Sequence, residues 1–320
     1  MFLFVSFIVP LTIILYWLKI KQVNLELLTL GDRMKYYESL SEEVTKILPY
    51  QSFIVRLDGK NFKAVTKKLQ KPFDDVFIEA MVKTAKNLIE EYHASTVYVQ
   101  SDEISIVFKA VCTKDEYEED SKKYSHLFGG RTTKLLSILA GYTSTKFTVN
   151  FYNELLQSSN TNEAHKLYLK KLSGDDVIGN QLQACNFCFD ARITLIPLNK
   201  SYEVVNNLLW RSVHDCYRNF VSGVCYEYFS KSSLNRLKTN ERKELLKKEH
   251  GIDLDSYASH YKYGWLLKSQ LEDKKQDIRK NIVAKSFKIH YSEEIEDMLY
   301  SKYWNDVSDT ILFDETKNFN

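Results

Sequence analysis

Apolar and polar positions fall into a short series of segments. The run Phe53-Ile54-Val55-Arg56-Leu57-Asp58-Gly59 predicts a strand over 51–57, with Arg56 facing away from its neighbours Val55 and Leu57. In the segment that follows, Val76, Phe77, Ala80, Met81, Thr84, Ala85, Leu88 and Ile89 recur at three- and four-residue steps and predict a helix. Pro72 and Asp74 lie near its start. Residues 95–100 and 104–110 alternate as two strands joined by Ser101-Asp102-Glu103. A further helix is expected over 129–155, a strand over 186–198 and a helix over 206–230. The polar tract 157–176 reads as a surface insertion with limited helix, and 30–45 as an aromatic-bearing helix ahead of the first strand.

The order strand, helix, strand, strand, helix, strand is ferredoxin-like, an α+β class in which an antiparallel sheet packs against helices. Beyond 230 the pattern shifts to short helices and a basic, aromatic strand or hairpin containing Gly264. A charged segment, acidic at its end and with a loose tail, follows from 271. The expected organisation is a hydrophobic anchor or targeting segment over 1–25, a catalytic body over 26–230, and a C-terminal extension over 231–320.

Three hundred and twenty residues with 44% hydrophobic and 27% charged content suit a chain with a sizeable core and exclude pervasive disorder. The formal net charge of +2 excludes an extreme basic tail, so any nucleic-acid contact rests on where the cations lie. Five cysteines, an odd count with no regular framework, suit a reducing compartment. Cys185 and Cys188 have half of a zinc spacing but sit in a strand pattern, where residues three apart point to opposite faces. Residues 2–18 carry no charge and are followed by Lys19 and Lys21. They are expected to associate with a membrane as an anchor for a cytosolic body. An organelle-targeting role and a misassigned start stay open.

The chemistry-bearing feature is the pair of strand ends. In a split βαβ unit, Asp58 and Asp102 approach each other although 44 positions separate them. Two such carboxylates repel unless a cation lies between them, and magnesium prefers hard oxygen ligands while retaining water and phosphate oxygens. Gly59 lets the backbone come close enough for its carbonyl to join them. Two metal ions would suit phosphoryl or nucleotidyl transfer. The alternative is that Asp58-Gly59 is a tight turn and Asp102-Glu103 a solvated hairpin tip. Lys71, Arg131, Lys134 and Thr133 are candidates for a triphosphate, the last three at a helix start where free N–H groups favour anions. A solvated helix face is the alternative there.

With "VRLDGKNF", "KPFD", "QSDEISIVF", "GGRTTKLLS", "FDARITLIPLN" and "LLWRSVHDCYRN" in order, the chain resembles the tRNA(His) guanylyltransferase superfamily of 3′-to-5′ polymerases. The resemblance covers roughly 30–268 and implies a polymerase-like palm using two Mg2+ ions, with ATP and GTP or other nucleoside triphosphates as substrates. It places metal ligation on Asp58, Gly59 and Asp102, and catalysis on Asp58, Asp102 and Glu103. Nucleotide contacts fall on Arg56, Lys60, Asn61, Phe62, Lys71, Asp74, Ser101, Arg131, Thr133 and Lys134. It also implies a tRNA partner, a homotetramer, and a cytoplasmic or mitochondrial location.

Where the eukaryotic tRNA(His) type has "HINNLYN", this chain reads Tyr217-Arg218-Asn219-Phe220-Val221-Ser222-Gly223, and a later "DKNEILF"-type block is missing. Residues 240–268 are similar instead to the guanylyltransferase-like proteins. Template-dependent repair of 5′-truncated tRNAs is therefore the expected activity, with addition of G at position −1 of tRNA(His) as the alternative. A ferredoxin-like RNA-binding protein or a nucleotide cyclase ranks lower.

Overall fold

The computed structural model describes residues 46–67, 69–173, 187–274 and 277–319. Strand β1 (Phe53–Gly59) leads through the short helix α1 (Phe62–Thr66) to α2 (Asp75–Tyr92). The two-strand turn follows as β2 (Thr96–Gln100) and β3 (Glu103–Phe108), then α3 (Lys114–Glu119), α4 (Thr132–Ser158), α5 (Glu163–Ser173) and β4 (Phe189–Leu195). Helix α6 (Glu203–Leu209) runs through a π-helical stretch, Trp210–Cys216, into α7 (Tyr217–Tyr228). The remainder comprises α8 (Thr239–His250), α9 (Ser259–Tyr263), β5 (Trp265–Lys274), β6 (Asp277–Ser286), α10 (Glu293–Tyr300) and β7 (Glu315–Phe319).

The strands form one antiparallel sheet in the order β4-β1-β3-β2-β5-β6-β7. Its first four strands are the ferredoxin-like unit expected from the sequence. The other three extend it for a physical reason visible in β2, all five residues of which are buried. An apolar strand left at an edge is an aggregation hazard, and β5 covers it by pairing Leu267, Leu266 and Trp265 with Val97, Tyr98 and Val99. The segment expected to end in a loose tail instead closes on the sheet, where Glu315–Phe319 pairs with β6.

Helices cover both faces. Against one lie α2, whose nine buried residues recur at helical spacing, and α4, whose buried stripe runs Leu135, Leu139, Thr143, Phe147, Phe151, Leu155. Against the other lie α6 and α10 with Ile54, Tyr98, Val107, Leu266 and Val283 of the sheet. A third cluster, built from Phe220, Val221, Val224 and Cys225 of α7 with Leu246 of α8, packs the C-terminal helices together.

The tract 157–176 is less peripheral than its polarity suggests. His165 of α5 is buried; its Nε2 donates to Asp74 Oδ2 at 2.8 Å and its Nδ1 lies 2.7 Å from Ser158 Oγ. The helix expected over 30–45 lies outside the described residues.

Among the described residues no helix is long and apolar enough to cross a membrane. Even α4, with 27 residues, buries only one stripe and exposes polar positions between. This corrects the expectation of membrane association and of a location fixed by a membrane tether. Residues 2–18, which were to carry it, lie outside the described residues.

Candidate active site at one end of the sheet

Phe53, Val55 and Leu57 face the cluster under α2 and α4, so the alternation of β1 puts Arg56 and Asp58 on the opposite face. The registers then set two rows across the sheet. Asp58 lies opposite Glu103 on β3 and Asp190 on β4; two positions back, Arg56 lies opposite Arg192. Like charges directly opposite each other destabilise a sheet. The compensation is diagonal: Arg56 donates from Nε to Glu103 Oε2 at 2.7 Å and from Nη2 to Asp58 Oδ2 at 2.8 Å. Arg192 Nε stands 3.3 Å from Asp190 Oδ1. From the π-helical stretch, Arg211 Nη1 reaches to 3.3 Å from Glu103 Oε2 and 3.4 Å from Asp215 Oδ2, with its guanidinium stacked over the Trp210 ring.

The second aspartate arrives from the β2–β3 turn. Ser101 takes φ +46° there, and its hydroxyl donates to Asp102 Oδ1 at 3.1 Å. The Gly59 N–H donates to the Asp102 carbonyl at 2.9 Å, a backbone bond that fastens the end of β1 to this turn. Any side chain at residue 59 would meet the Phe62 ring, whose Cδ2 is 2.6 Å from an added Cβ, which explains the glycine. The backbone beside Asp58 is thus joined to that of Asp102 at one end of the sheet.

Burial raises both carboxyls above the usual aspartate range. For Asp58 the Arg56 cation opposes the rise, while Glu103 and Asp190 add to it. For Asp102 hydrogen bonds oppose it, and Asp58 and Glu103 add to it. Both groups therefore resist ionisation chiefly because they are withdrawn from water, a cost that a bound cation offsets. Among the described residues no group of three or more His, Cys, Asp and Glu side chains is arranged to hold a metal ion. Two aspartates and a backbone carbonyl nevertheless suit magnesium, which takes one or two carboxylates and completes its shell with water and substrate phosphate.

The other expected contacts divide. Glu103 is buried and held by two arginines, so its geometry is that of a charge anchor. Lys60 and Asn61 are exposed at the turn after Gly59, and the Lys60 N–H donates to the Cys188 carbonyl. Phe62 points into the core against Phe147 and Phe189. The Asp74 carboxylate turns inward, capping α2 through Phe77 N and accepting from Gln70 N and His165, which gives it a structural task. Lys71 and Ser101 line a cavity of about 230 Å³ between α2 and the segment α7–α9.

Arg131, Thr133 and Lys134 are not brought to the carboxylates. The Gly130 carbonyl accepts from Ile47 N–H, and His126 packs edge-on against Phe53, so α4 starts beside the first residue of β1. Five strand positions, roughly 17 Å, separate Phe53 from Asp58. The Lys134 ammonium lies over the Phe128 ring.

Sequence reasoning missed Asp190, Arg192 and Arg211. For the first two a signal existed: Arg56-x-Asp58 and Asp190-x-Arg192 are mirror images, and antiparallel pairing of mirror images aligns like with like. Arg211 has a local partner in Asp215, one turn on, but its reach to Glu103 had no local signal, because that residue lies more than a hundred positions away.

A family model described as tRNAHis guanylyltransferase matches residues 31–197, a span that holds Asp58, Asp102 and Asp190. An uncharacterised protein of Acanthamoeba polyphaga mimivirus is 36% identical over 284 residues, covering 86% of this chain and 90% of the relative. The tRNA(His) guanylyltransferase of Candida glabrata is 24% identical over 255 residues, covering 75% and 92%. Further relatives carry the same name. Among solved structures, a bacterial tRNA(His) guanylyltransferase-like protein in complex with ATP superposes with a TM-score of 0.55. It has 25% identity over 79% of this chain and 91% of the other.

Proposed function

The chain belongs to the tRNAHis guanylyltransferase family, and from that membership we propose that it is a nucleotidyltransferase adding guanosine to the 5′ end of tRNA(His). The choice of G addition departs from the 5′-end repair expected from the sequence. Relatives whose activity is named are tRNA(His) guanylyltransferases, which favours the alternative over the repair reading.

The observation that supports the proposal is the bond between the Gly59 N–H and the Asp102 carbonyl, which ties the end of β1 to the β2–β3 turn. Asp58, Asp102 and the Gly59 carbonyl would hold magnesium, which supplies Lewis-acid activation of a hydroxyl and charge neutralisation at phosphate. Arg56 and Arg211 hold Glu103 and, through Arg56, orient Asp58. Lys71 and Ser101 border the cavity beside the carboxylates and offer a cation and a hydroxyl to a nucleotide.

In the proposed reaction the 5′-monophosphate of the tRNA attacks the α-phosphorus of ATP, releasing pyrophosphate and leaving an adenylylated end. The 3′-hydroxyl of GTP then attacks that 5′-phosphorus. The new phosphodiester forms as the phosphoanhydride to AMP breaks, and the hydroxyl proton leaves to solvent or a basic group. Positioning and charge stabilisation are the protein's contribution in both steps.

The test supplies 5′-monophosphorylated full-length tRNA(His) and a tRNA lacking its first paired nucleotide, each with ATP, four nucleoside triphosphates and magnesium. Preferential addition of G to the full-length tRNA(His) is expected. Preferential refilling of truncated ends across several tRNAs would overturn the assignment in favour of repair.

A further inference from the structure

The face of the sheet that carries Arg56 and Asp58 is crossed by α6 and the π-helical stretch after it. Helix α6 buries Val204, Val205 and Leu208. The stretch then sends Arg211 inward to Glu103, the residue opposite Asp58 in the β1–β3 register. Its neighbour Trp210 goes outward and is 51% exposed, whereas Trp265 and Trp304 are buried. The Arg211 guanidinium lies 4.1 Å from the centre of the Trp210 ring and is itself held by Glu103 and Asp215. One side of the indole is thus fixed on a pinned cation, and half of the residue is left in water.

A single exposed ring is ordinary; its setting gives this one a task. One turn before Trp210, Asn206 and Asn207 line a hollow of about 400 Å³ together with Thr194, Pro197 and Lys200. Glu203 borders it too, but its carboxylate accepts from the Asn206 amide at 3.1 Å. Amides, a hydroxyl and a cation suit the sugar and phosphate oxygens of an RNA strand. An aromatic face suits an unpaired or terminal base. The hollow, the ring and the Arg211–Glu103 pair follow one another along the chain toward the carboxylate row. A strand lying in that order brings its end to Asp58.

We propose that Trp210 is the platform on which the terminal base of the RNA acceptor end stacks, with the strand behind it lying in the hollow at Asn206, Asn207 and Lys200. The proposal rests on the tRNA reading above and names the surface that holds that substrate. Arg211 makes the platform rigid, because a ring already held on a fixed guanidinium loses little freedom when a base joins it. Stacking accepts any base, so this surface positions the 5′ end without choosing the tRNA.

The experiment measures equilibrium binding of a 5′-monophosphorylated RNA hairpin over a range of salt. The hairpin has the acceptor-stem sequence of tRNA(His) and 2-aminopurine as its first nucleotide. The full chain is compared with Trp210→Ala, Trp210→Leu, Trp210→Phe and Lys200→Gln, each checked for folding by its melting curve. Binding to the wild type should quench the 2-aminopurine fluorescence. Trp210→Ala and Trp210→Leu should bind about 5- to 150-fold more weakly and without the quench. Their salt slope should stay that of the wild type, because stacking releases no counterions. Trp210→Phe, which keeps a ring, should keep the quench. Lys200→Gln should keep it too and make the slope of log K against log salt shallower by about 1. Wild-type affinity in both ring-less variants would overturn the proposal. So would a loss that comes with a shallower slope, which would assign the contact to phosphate through Arg211. A loss that tracks a changed oligomeric state in sedimentation would overturn it as well, assigning Trp210 to contact between copies. If the wild type binds no hairpin at all, the tRNA reading fails and this proposal with it.

Discussion

Two charged clusters on the same sheet are built in opposite ways. On β5, the fully buried ammonium of Lys268 meets three acceptors: the carbonyls of Ser95 and Ser301, and the Thr96 hydroxyl. Three donors meet three acceptors, and the cluster ties β5, the start of β2 and the end of α10 together. At the other cluster, Asp190, Asp58 and Glu103 stand in a row of like charge, and Asp58 and Asp102 are both pushed toward protonation. A cluster satisfied from within serves stability. One whose aspartates stay raised by burial even with Arg56, Arg192 and Arg211 beside the row is suited to a cation that the chain binds.

The largest contrast should come from removing one member of each cluster. Asp58→Ala or Asp102→Ala is expected to lower 5′ nucleotide addition by on the order of a thousandfold, as loss of a principal charge-stabilising group does. Both should fold as the wild type does, which single-turnover assays with melting curves would check. Lys268→Met should do the reverse, leaving three buried neutral acceptors without their donor at a cost of roughly 1–3 kcal/mol each. Its rate at low temperature should stay near wild type, measured by urea unfolding beside the same assay.

Lys268 also makes a pH prediction. Burial pulls its ammonium well below the ordinary lysine range, so the unfolded chain binds the proton more tightly than the folded one. Its contribution to stability therefore grows as pH rises from the depressed value toward the ordinary lysine value near 10.4, and is lost as pH falls. The difference in unfolding free energy between wild type and Lys268→Met should widen with pH over that window. A constant difference would mean that the ammonium is held charged throughout.

Smaller effects sharpen the carboxylate side. Arg56→Gln removes the group that holds Glu103 and Asp58 together and should reduce activity by about 10- to 100-fold, the cost of losing an outer partner of a metal ligand. The loss should be partly recovered at high magnesium in a titration of rate against metal. Asp190→Asn relieves a like-charge pair and should stabilise the unliganded protein by roughly 0.2–1 kcal/mol. A destabilised Asp190→Asn would mean that the row is not in conflict.

The sequence carried much of this account where physics is local. Period-two runs gave β1, β2 and β3, and the helical spacing from Val76 to Ile89 gave α2 with Asp74 at its cap. It could not carry the pairing of β5 with β2, since nothing near Trp265 names Val97–Val99 as its partner. For the same reason the basic group at Arg131 and Lys134 was expected at the phosphate site: a helix start signals an anion site locally, but which end of the sheet it occupies depends on Ile47 and His126.

The central claim is that Asp58 and Asp102 form one cation site, and the most direct measurement is a manganese titration followed by electron paramagnetic resonance. Wild type, Asp58→Asn, Asp102→Asn and the double variant would be compared without nucleotide and with ATP. Either single substitution should abolish nearly all of the tight binding seen with ATP, and the double variant should lose little more, because the two groups act as a unit. Two independent, additive losses, or tight binding that survives in both single variants, would contradict it.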